Sequence, residues 1–349
     1  MKPIRLGFVG VGAMGQCAHL DNYATIPGCE IAAIADIRGD LAQKVATRYG
    51  VPHVFRTGRE MLAAAALDGI VVTLPFECHG QVVPELYDYG VPVFTEKPLA
   101  RSVAVGEKLL ESLRRSRAKH VVGYHKRSDP ATLYAIDQIS SLKASGELGP
   151  LRYVRVLMPE GDWIAGGFSH MLASGQTAAD MPVDPPPAHM DEATQERFDL
   201  FINYYIHQIN LIRHLLGETF SVDYADPAGI LMVGHSASGV TVTLEMTPYR
   251  TTVDWHEEAL VAFERGTITL RLPAPLARNR PGAVTVFRDP GGSTPVSITP
   301  QLPWVHAMRQ QAEFFVQYIR GAQTRLCEAT EAIEDLRIAE DYIQKLGGQ

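Results

Sequence analysis

The 349-residue chain has few cysteines and no long apolar run, and each absence excludes a class of protein. Its four cysteines form no Cys-x-x-Cys pair and no histidine–cysteine cluster, which predicts free thiols in a reducing compartment and no metal site. No apolar run approaches the roughly 20 residues of a membrane-spanning helix, and Arg5 in the first strand pattern does not fit a signal peptide. A formal net charge of −7 argues against nucleic acid or an anionic membrane as a partner. We therefore expect a cytoplasmic protein.

Two patterns of apolar residues divide the chain. Residues 4–125 alternate short β-rich runs with segments of helical spacing, which predicts an α/β domain with a doubly wound parallel sheet. After a helical stretch at 130–144, apolar and polar residues alternate within the β-rich runs, which predicts a mixed or antiparallel sheet with one covered face. We place the boundary after residue 124 and predict domains at 1–124 and 125–349.

The first predicted strand ends in a glycine-rich turn with the spacing Gly-x-Gly-x-x-Gly. Its residues are Gly10, Val11, Gly12, Ala13, Met14 and Gly15. Gly10 allows a tight turn, Gly12 lets the backbone approach a pyrophosphate, and Gly15 lets the following helix pack closely on the strand. Because a strand precedes the turn and a helix follows it, we predict a dinucleotide-binding Rossmann domain.

Asp36 ends the second predicted strand, 21 residues beyond Gly15. A carboxylate at this point binds the adenosine ribose of a dinucleotide. The alternative role is a helix N-cap, which Asp40 can fill instead. Asp36 favours NAD over NADP, because its carboxylate repels a 2′-phosphate. Arg38 leaves NADP as the alternative, because a nearby arginine can bind that phosphate. Ile37, between them, completes the predicted cofactor-binding loop.

Four further motifs follow along the chain. They are Leu74-Pro75 with His79, Glu96-Lys97-Pro98, the run GYHKRSDP at 123–130, and the segment INYYIHQINLIRHLLG at 202–217. With the glycine-rich turn, they resemble the glucose–fructose oxidoreductase / inositol dehydrogenase / MocA (Gfo/Idh/MocA) family over nearly the whole chain. Two departures stand out, because Leu74 replaces the family's usual threonine and asparagine replaces acids at 203 and 210.

The resemblance implies both an architecture and a set of cofactor contacts. Lys97 is expected beside the nicotinamide, hydrogen-bonded to the reacting oxygen, with Glu96 on the nicotinamide ribose. Leu74, Pro75 and His79 are expected to line the cofactor. The second domain is expected to be α+β, with a large open-faced sheet that supports homodimers or homotetramers and closing helices at about 305–346.

A predicted helix carries the second group of candidate residues. Asn203, His207 and Asn210 are spaced i, i+4, i+7 and would share one face, with Tyr204 on a neighbouring edge. Asparagine can hydrogen-bond a hydroxyl but cannot take its proton, so proton transfer falls to His207 and Lys97. The alternative is an amphipathic core helix with a satisfied histidine.

Two polar segments complete the candidate site. His125, Lys126 and Arg127 form either a solvated loop or a site for cofactor phosphates or an anionic substrate group. The segment 163–197 has no helical or strand period and is longer than is typical of the family. We predict a lid or oligomer arm with Trp163 and His170 near the substrate, and the alternative is a tolerated surface insertion.

The expected function is an NAD-dependent oxidoreductase acting on a secondary alcohol of a sugar, cyclitol or glycoside. The alternative is a glycosidase that oxidises C3 transiently, eliminates the aglycone and returns the hydride without net redox change. That reaction needs an extra base, for which Tyr204, His125 and His170 are candidates. A catalytically idle NAD-sensing module is a third hypothesis, and the presence of Lys97 and His207 argues against it.

Overall fold

The computed structural model describes residues 2–176 and 181–347 and forms two compact units. Unit 1 comprises Met1–Tyr124, Gly166–Gln195 and Gln311–Leu336, and unit 2 comprises His125–Ala165, Glu196–Gln310 and Arg337–Gln349. The first segment of unit 1 ends at the predicted boundary, but two later segments also belong to this unit. The simple division into 1–124 and 125–349 therefore stays a prediction. Among the helices described, none is long and apolar enough to cross a bilayer.

The elements follow the chain in this order. The strands are β1 Ile4–Val9, β2 Cys29–Ala35, β3 His53–Phe55, β4 Gly69–Val72, β5 Val93–Glu96, β6 His120–Gly123, β7 Leu151–Glu160, β8 Phe220–Ala225, β9 Leu231–Ser236, β10 Thr241–Arg250, β11 Glu258–Phe263, β12 Gly266–Arg271, β13 Ala283–Arg288, β14 Val296–Ile298 and β15 Cys327–Glu328. The helices are α1 Asp21–Tyr23, α2 Gly39–Tyr49, α3 Gly58–Ala64, α4 His79–Tyr87, α5 Val103–Arg114, α6 Pro130–Ser145, α7 Glu192–Tyr204, α8 Ile206–Leu216, α9 Ala307–Ile319 and α10 Ala329–Gly347. A π-helix, Gly15–Leu20, leads into α1, and short 3₁₀ helices occupy Phe76–Cys78 and His125–Ser128.

The first sheet, sheet A, belongs to unit 1 and has the strand order β15-β6-β5-β4-β1-β2-β3. β1 to β6 pair in parallel, and β4, β5 and β6 are buried along their whole length. Strands that are buried along their whole length need helices on both faces of the sheet, since either face would otherwise be exposed. β15 adds an antiparallel edge strand through Cys327 and Val122. The predicted parallel Rossmann sheet is confirmed.

The second sheet, sheet B, belongs to unit 2 and has the order β14-β13-β12-β11-β7-β10-β9-β8. β7 and β10 pair in parallel, and the other neighbours are antiparallel. Burial alternates along β11 and β12, because α6 and α8 pack on the sheet from one side. The predicted α+β fold with a one-sided mixed sheet is confirmed.

The predicted single helix around His207 is wrong. α7 ends at Tyr204, and α8 begins at Ile206 after the turn residue Tyr205. Asn203 therefore lies on the exposed last turn of α7, whereas His207 and Asn210 lie in α8. The apolar spacing runs through Tyr205 without interruption, which is why periodicity alone predicted one helix.

Candidate active site

The carboxyl edge of sheet A is the natural ligand-binding edge of unit 1. The chain winds outward in opposite directions from the neighbouring strands β1 and β4, and ligands bind at such a switch point beyond the carboxyl ends of the strands. The structure brings many of the predicted cofactor residues to this edge. They are Gly10, Gly12, Ala13, Met14, Gly15, Asp36, Ile37, Arg38, Leu74, Pro75, Glu96 and Lys97.

The glycine-rich turn uses each of its glycines differently. Gly10 has a φ of +82°, which side chains disfavour. A Cβ on Gly15 would lie 2.7 Å from both the Gly10 carbonyl oxygen and the Thr73 hydroxyl, so the helix could not pack as it does. A Cβ on Gly12 would meet only Arg38 Nη2, at 3.6 Å. The turn is therefore closed by protein at Gly10 and Gly15 and open at Gly12.

Asp36 is buried and fully engaged at the end of β2. Its Oδ2 accepts hydrogen bonds from the Val11 amide and Arg38 Nη2, both at 2.9 Å, and its Oδ1 accepts from the Arg38 amide and Nε. Burial acts to raise the pKa of Asp36, but the Arg38 side chain and the two amides outweigh it and lower that pKa. The loop thus presents an ionised carboxylate covered by a half-buried guanidinium.

The loop after β4 ties the turn to its neighbours. The Thr73 hydroxyl donates to the Gly10 carbonyl at 2.6 Å, and Leu74 packs against Gly10. His79 is fully buried, with Nδ1 3.2 Å from the Leu99 carbonyl, and burial lowers its pKa. A neutral, enclosed His79 joins two loops of the carboxyl edge and is not open to a ligand.

Glu96, at the end of β5, is paired with a residue that sequence analysis missed. His19 Nε2 lies 2.6 Å from Glu96 Oε1, and both side chains are buried. His19 reaches it from the π-helix Gly15–Leu20, a helix type that is frequent at functional sites. Burial acts to raise the pKa of Glu96, but the hydrogen bond to His19 and the nearby Lys97 lower it overall. The only sequence signal was a polar residue on the core face of this helix.

Lys97 follows Glu96 directly, and its amide donates to Glu96 Oε2 at 3.1 Å. Its peptide bond to Pro98 is cis. Lys97 is half-buried, whereas Pro98 and the residues of β5 are enclosed. The His19–Glu96 pair therefore fixes the backbone from which the Lys97 side chain extends.

The 3₁₀ helix His125–Ser128 in unit 2 is buried, so the predicted alternative of a solvated loop is wrong. Lys126 Nζ lies 2.5 Å from Glu257 Oε2 and 5.6 Å from the Trp255 ring centroid. Gln208 Nε2 donates to Glu257 Oε1 at 2.9 Å. Glu257 thus joins the 3₁₀ helix to α8, and neither Glu257 nor Gln208 was selected from the sequence.

Two further contacts hold α8 against this 3₁₀ helix. Arg127 Nε donates to Asn210 Oδ1 at 2.7 Å, and the rings of His125 and His207 meet edge to face, 4.7 Å apart. Asn210 therefore has a defined role in place of the family's usual acid, because its oxygen accepts a hydrogen bond from a buried guanidinium. His207 is half-buried, while Asn210 is enclosed.

Tyr204 lies at the end of α7 with a half-buried phenol. Burial raises its pKa above the ordinary value, aided by the charges of Glu160 and Glu257. A phenol with a raised pKa is protonated at neutral pH, so Tyr204 can donate a hydrogen bond but is a poor base.

The two residues predicted near the substrate from the long loop belong to different units. Trp163 lies in unit 2, where its carbonyl accepts from the Leu276 amide at 3.3 Å. His170 lies in unit 1, with Nε2 2.5 Å from Asp21 Oδ2. Residues 177–180 of the predicted lid lie outside the described part of the chain. The pairing with Asp21 makes His170 an anchor of the loop on unit 1.

Comparison with known proteins adds a family and a fold. Residues 4–124 match the sequence model of the family described as "Oxidoreductase family, NAD-binding Rossmann fold". The chain is 26% identical to the inositol 2-dehydrogenase of Acidothermus cellulolyticus, over 80% of this chain and 76% of that protein. It is 23% identical to YrbE of Bacillus subtilis, named an uncharacterized oxidoreductase, over 70% of this chain. The match spans 64% of YrbE, less than two thirds of its length.

Among solved structures, the chain is similar to the aldose-aldose oxidoreductase of Caulobacter crescentus, which was crystallised with glycerol. The TM-score is 0.71 at 17% identity, covering 100% of this chain and 99% of that one. At this identity the likeness shows a shared fold over the whole chain.

Proposed function

We propose that the chain, whose residues 4–124 match the Gfo/Idh/MocA oxidoreductase family model, is a dehydrogenase that transfers a hydride between NAD and a secondary alcohol or ketone of a cyclitol or sugar. The observation that carries this proposal is the carboxyl edge of sheet A, where the open turn at Gly12, the Asp36 carboxylate and Lys97 share one edge. The names of two similar proteins, an inositol 2-dehydrogenase and an aldose-aldose oxidoreductase, support a polyhydroxylated substrate.

The residues of this edge fit a dinucleotide. The open space at Gly12 admits a pyrophosphate, and the Asp36 carboxylate suits a ribose hydroxyl. Bound NAD supplies a hydride acceptor at this edge. The charges favour NAD over NADP, because Asp36 and Asp40 flank Arg38 and the guanidinium is already engaged by Asp36.

Lys97 and His207 are the proposed proton-transfer residues. An amine can take the proton of a reacting hydroxyl as its carbon loses the hydride, and can return it in the reverse direction. Lys97 suits this role because its backbone is fixed beside the buried Glu96. His207 is the only histidine of α8 that is predicted as catalytic, and its ring is held against His125.

The substrate we propose is uncharged. Lys126 is neutralised by Glu257, and Arg127 is engaged by Asn210, so the cations of the 3₁₀ helix serve the fold of unit 2. An anionic sugar would need a cation that is not already paired with a group of the protein. Asn203, Tyr204 and Trp163 stay candidates for hydrogen bonds to substrate hydroxyls.

The redox-neutral glycosidase is less well supported. It needs an additional base, and two of the three candidates are poor ones. Burial raises the pKa of Tyr204, and His170 is committed to Asp21. His125 is the remaining candidate.

The test is an assay of the purified protein with NAD and a panel of inositols, aldoses and chromogenic glycosides. We expect NADH to accumulate in proportion to oxidised inositol or sugar, with no aglycone release. Aglycone release that requires NAD but leaves no net NADH would identify the glycosidase. A panel without any NAD-dependent reaction would contradict both.

Lys97→Ala tests the role of the lysine. Loss of the proton-transfer group should lower kcat by about 10²- to 10⁴-fold and change the Kd for NADH by less than about threefold. Lys108→Ala, on the exposed face of α5, is the matched control and should keep wild-type kcat. A Lys97→Ala enzyme of wild-type kcat would refute the role.

A further inference from the structure

Part of the long loop is fastened to unit 1, and residues 170–176 are here called the strap. At the N-terminal end of the strap, His170 Nε2 pairs with Asp21 Oδ2, and Arg48 Nη1 donates to the His170 carbonyl at 2.7 Å. Asp21 opens α1, and Arg48 lies in the last turn of α2. The strap therefore begins against the ends of two helices that follow β1 and β2.

The middle of the strap is bound by a buried side chain. Gln16 is fully buried, and its carboxamide accepts from the Leu172 amide at 2.9 Å and donates to the Leu172 carbonyl at 3.1 Å. The same Gln16 Nε2 also donates to the carbonyl of Val11, in the glycine-rich turn, at 2.9 Å. One side chain thus links the strap directly to the turn.

The C-terminal end of the strap binds Asp40, which lies two residues beyond Arg38 in the sequence. The Ser174 hydroxyl donates to Asp40 Oδ1 at 2.6 Å, and the Gly175 amide donates to Oδ2 at 2.7 Å. The Asp40 amide points at Gln176 Oε1, 3.5 Å away. The hydrogen bonds from the Ser174 hydroxyl and the Gly175 amide lower the pKa of Asp40 to about 2.

The order of these contacts gives the strap a direction. As its number rises from 170 to 176, its partners on α2 run backwards from Arg48 through Lys44 to Asp40. α2 starts at the carboxyl end of β2, so the strap runs toward the carboxyl edge of sheet A. It arrives there beside the Asp36–Arg38 loop, the proposed site of the adenosine ribose.

A second anchor, Asp184, fastens the chain at the start of α4. Its carboxylate accepts from the Gly80 amide at 2.7 Å and from Gln81 Nε2 at 3.0 Å, and its own amide donates to the Glu77 carbonyl at 2.6 Å. Right-handed crossovers place α1 and α2 on one face of the sheet and α4 on the other. The strap and Asp184 are therefore anchored on opposite faces of the sheet, both at its carboxyl edge.

We propose that the strap and Asp184 form a clasp at the adenosine end of the dinucleotide site, so that NADH leaves slowly after each turnover and its release limits the rate. This inference rests on the proposed NAD-dependent function. It is favoured over a tolerated surface insertion because Gln16 and Asp184 are both enclosed, and an insertion without a role needs no enclosed polar anchors.

The test follows the release of NADH from its complex with the full-length protein. The complex is mixed with excess NAD, and nicotinamide fluorescence is recorded in a stopped-flow instrument. The double variant Ser174→Ala/Gln176→Ala removes the two side-chain contacts to Asp40 and leaves the turn, Asp36 and the Gly175 amide contact in place. We expect its NADH dissociation rate to rise about tenfold, the effect expected of losing one or two hydrogen bonds. Asp184→Asn should raise the rate as well.

The control is Ser145→Ala/Gln323→Ala, which changes an exposed serine and an exposed glutamine outside the strap and should keep the wild-type rate. Wild-type release from the strap variant would overturn the clasp while leaving the proposed function intact. A wild-type protein that binds neither NAD nor NADH would instead overturn the proposed function.

Discussion

Two ion pairs show how differently the two units use charge. In unit 1, the Asp36 carboxylate is enclosed but its partner Arg38 is 25% exposed, beside the open turn at Gly12. In unit 2, Lys126 is 4% exposed and Glu257 is fully enclosed. A ligand can share Arg38 with Asp36 because one partner faces solvent, whereas the enclosed pair can only hold protein to protein. The accessibility of the cation therefore separates a binding pair from an architectural one.

The largest effect is expected from breaking the enclosed pair. Glu257→Ala leaves Lys126 charged and buried, and also removes the partner of Gln208, so the free energy of unfolding should fall by about 3–5 kcal/mol. Urea unfolding followed by tryptophan fluorescence measures this change.

The double variant Lys126→Met/Glu257→Met is the control for that experiment. It removes both charges together and should recover most of the lost stability, because a buried pair replaced by apolar residues of similar volume is often neutral. If single and double variants are equally destabilised, the pair is not the source of the effect.

Much of the fold follows from local patterns. β4 is a short apolar run, and β5 begins with the apolar pair Val93-Phe94. The glycine spacing marks the edge where β1 ends, so sheet A and its ligand edge were predictable. β15 was not, because two residues, Cys327 and Glu328, carry no periodic signal.

The partners of the candidate residues were beyond sequence analysis for a different reason. His19 and Glu96 are 77 positions apart, and Lys126 and Glu257 are 131 positions apart. No local pattern links such residues, because only the packed fold brings them together. The polar segment before Arg197 likewise has no period, although residues 170–176 dock with a regular register on α2.

The His19–Glu96 pair, with side-chain exposures of 2% and 10%, lies between the Asp36–Arg38 and Lys126–Glu257 pairs in its access to solvent. His19→Phe removes the partner of a buried carboxylate, so the free energy of unfolding at pH 7 should fall by about 1–3 kcal/mol. The lowered pKa of Glu96 contributes stability that is present above its ordinary pKa and is lost as the pH falls through the lowered value. The difference between wild type and His19→Phe should therefore shrink in acid.

The check on this second prediction is urea unfolding of both proteins from pH 7 to pH 3, with Glu96→Gln in the same series. Glu96→Gln has no carboxylate to titrate and should remove the acid dependence of the His19→Phe effect. A His19→Phe penalty that is constant with pH would mean that the pair contributes through packing alone.

The smallest change in stability, and the clearest change in binding, are expected from breaking the partly exposed Asp36–Arg38 pair. Arg38→Ala breaks a partly exposed ion pair and should alter the free energy of unfolding by no more than about 1 kcal/mol. It leaves Asp36 ionised without its cover, so repulsion of a 2′-phosphate should strengthen. The ratio of the Kd for NADPH to that for NADH should rise by about tenfold, as fluorescence titration would measure. Arg56→Ala, which removes only an exposed bond to the Ile37 carbonyl, should leave the ratio unchanged. An unchanged ratio in Arg38→Ala would show that Arg38 is architectural despite its exposure, and accessibility would then no longer separate the two pairs.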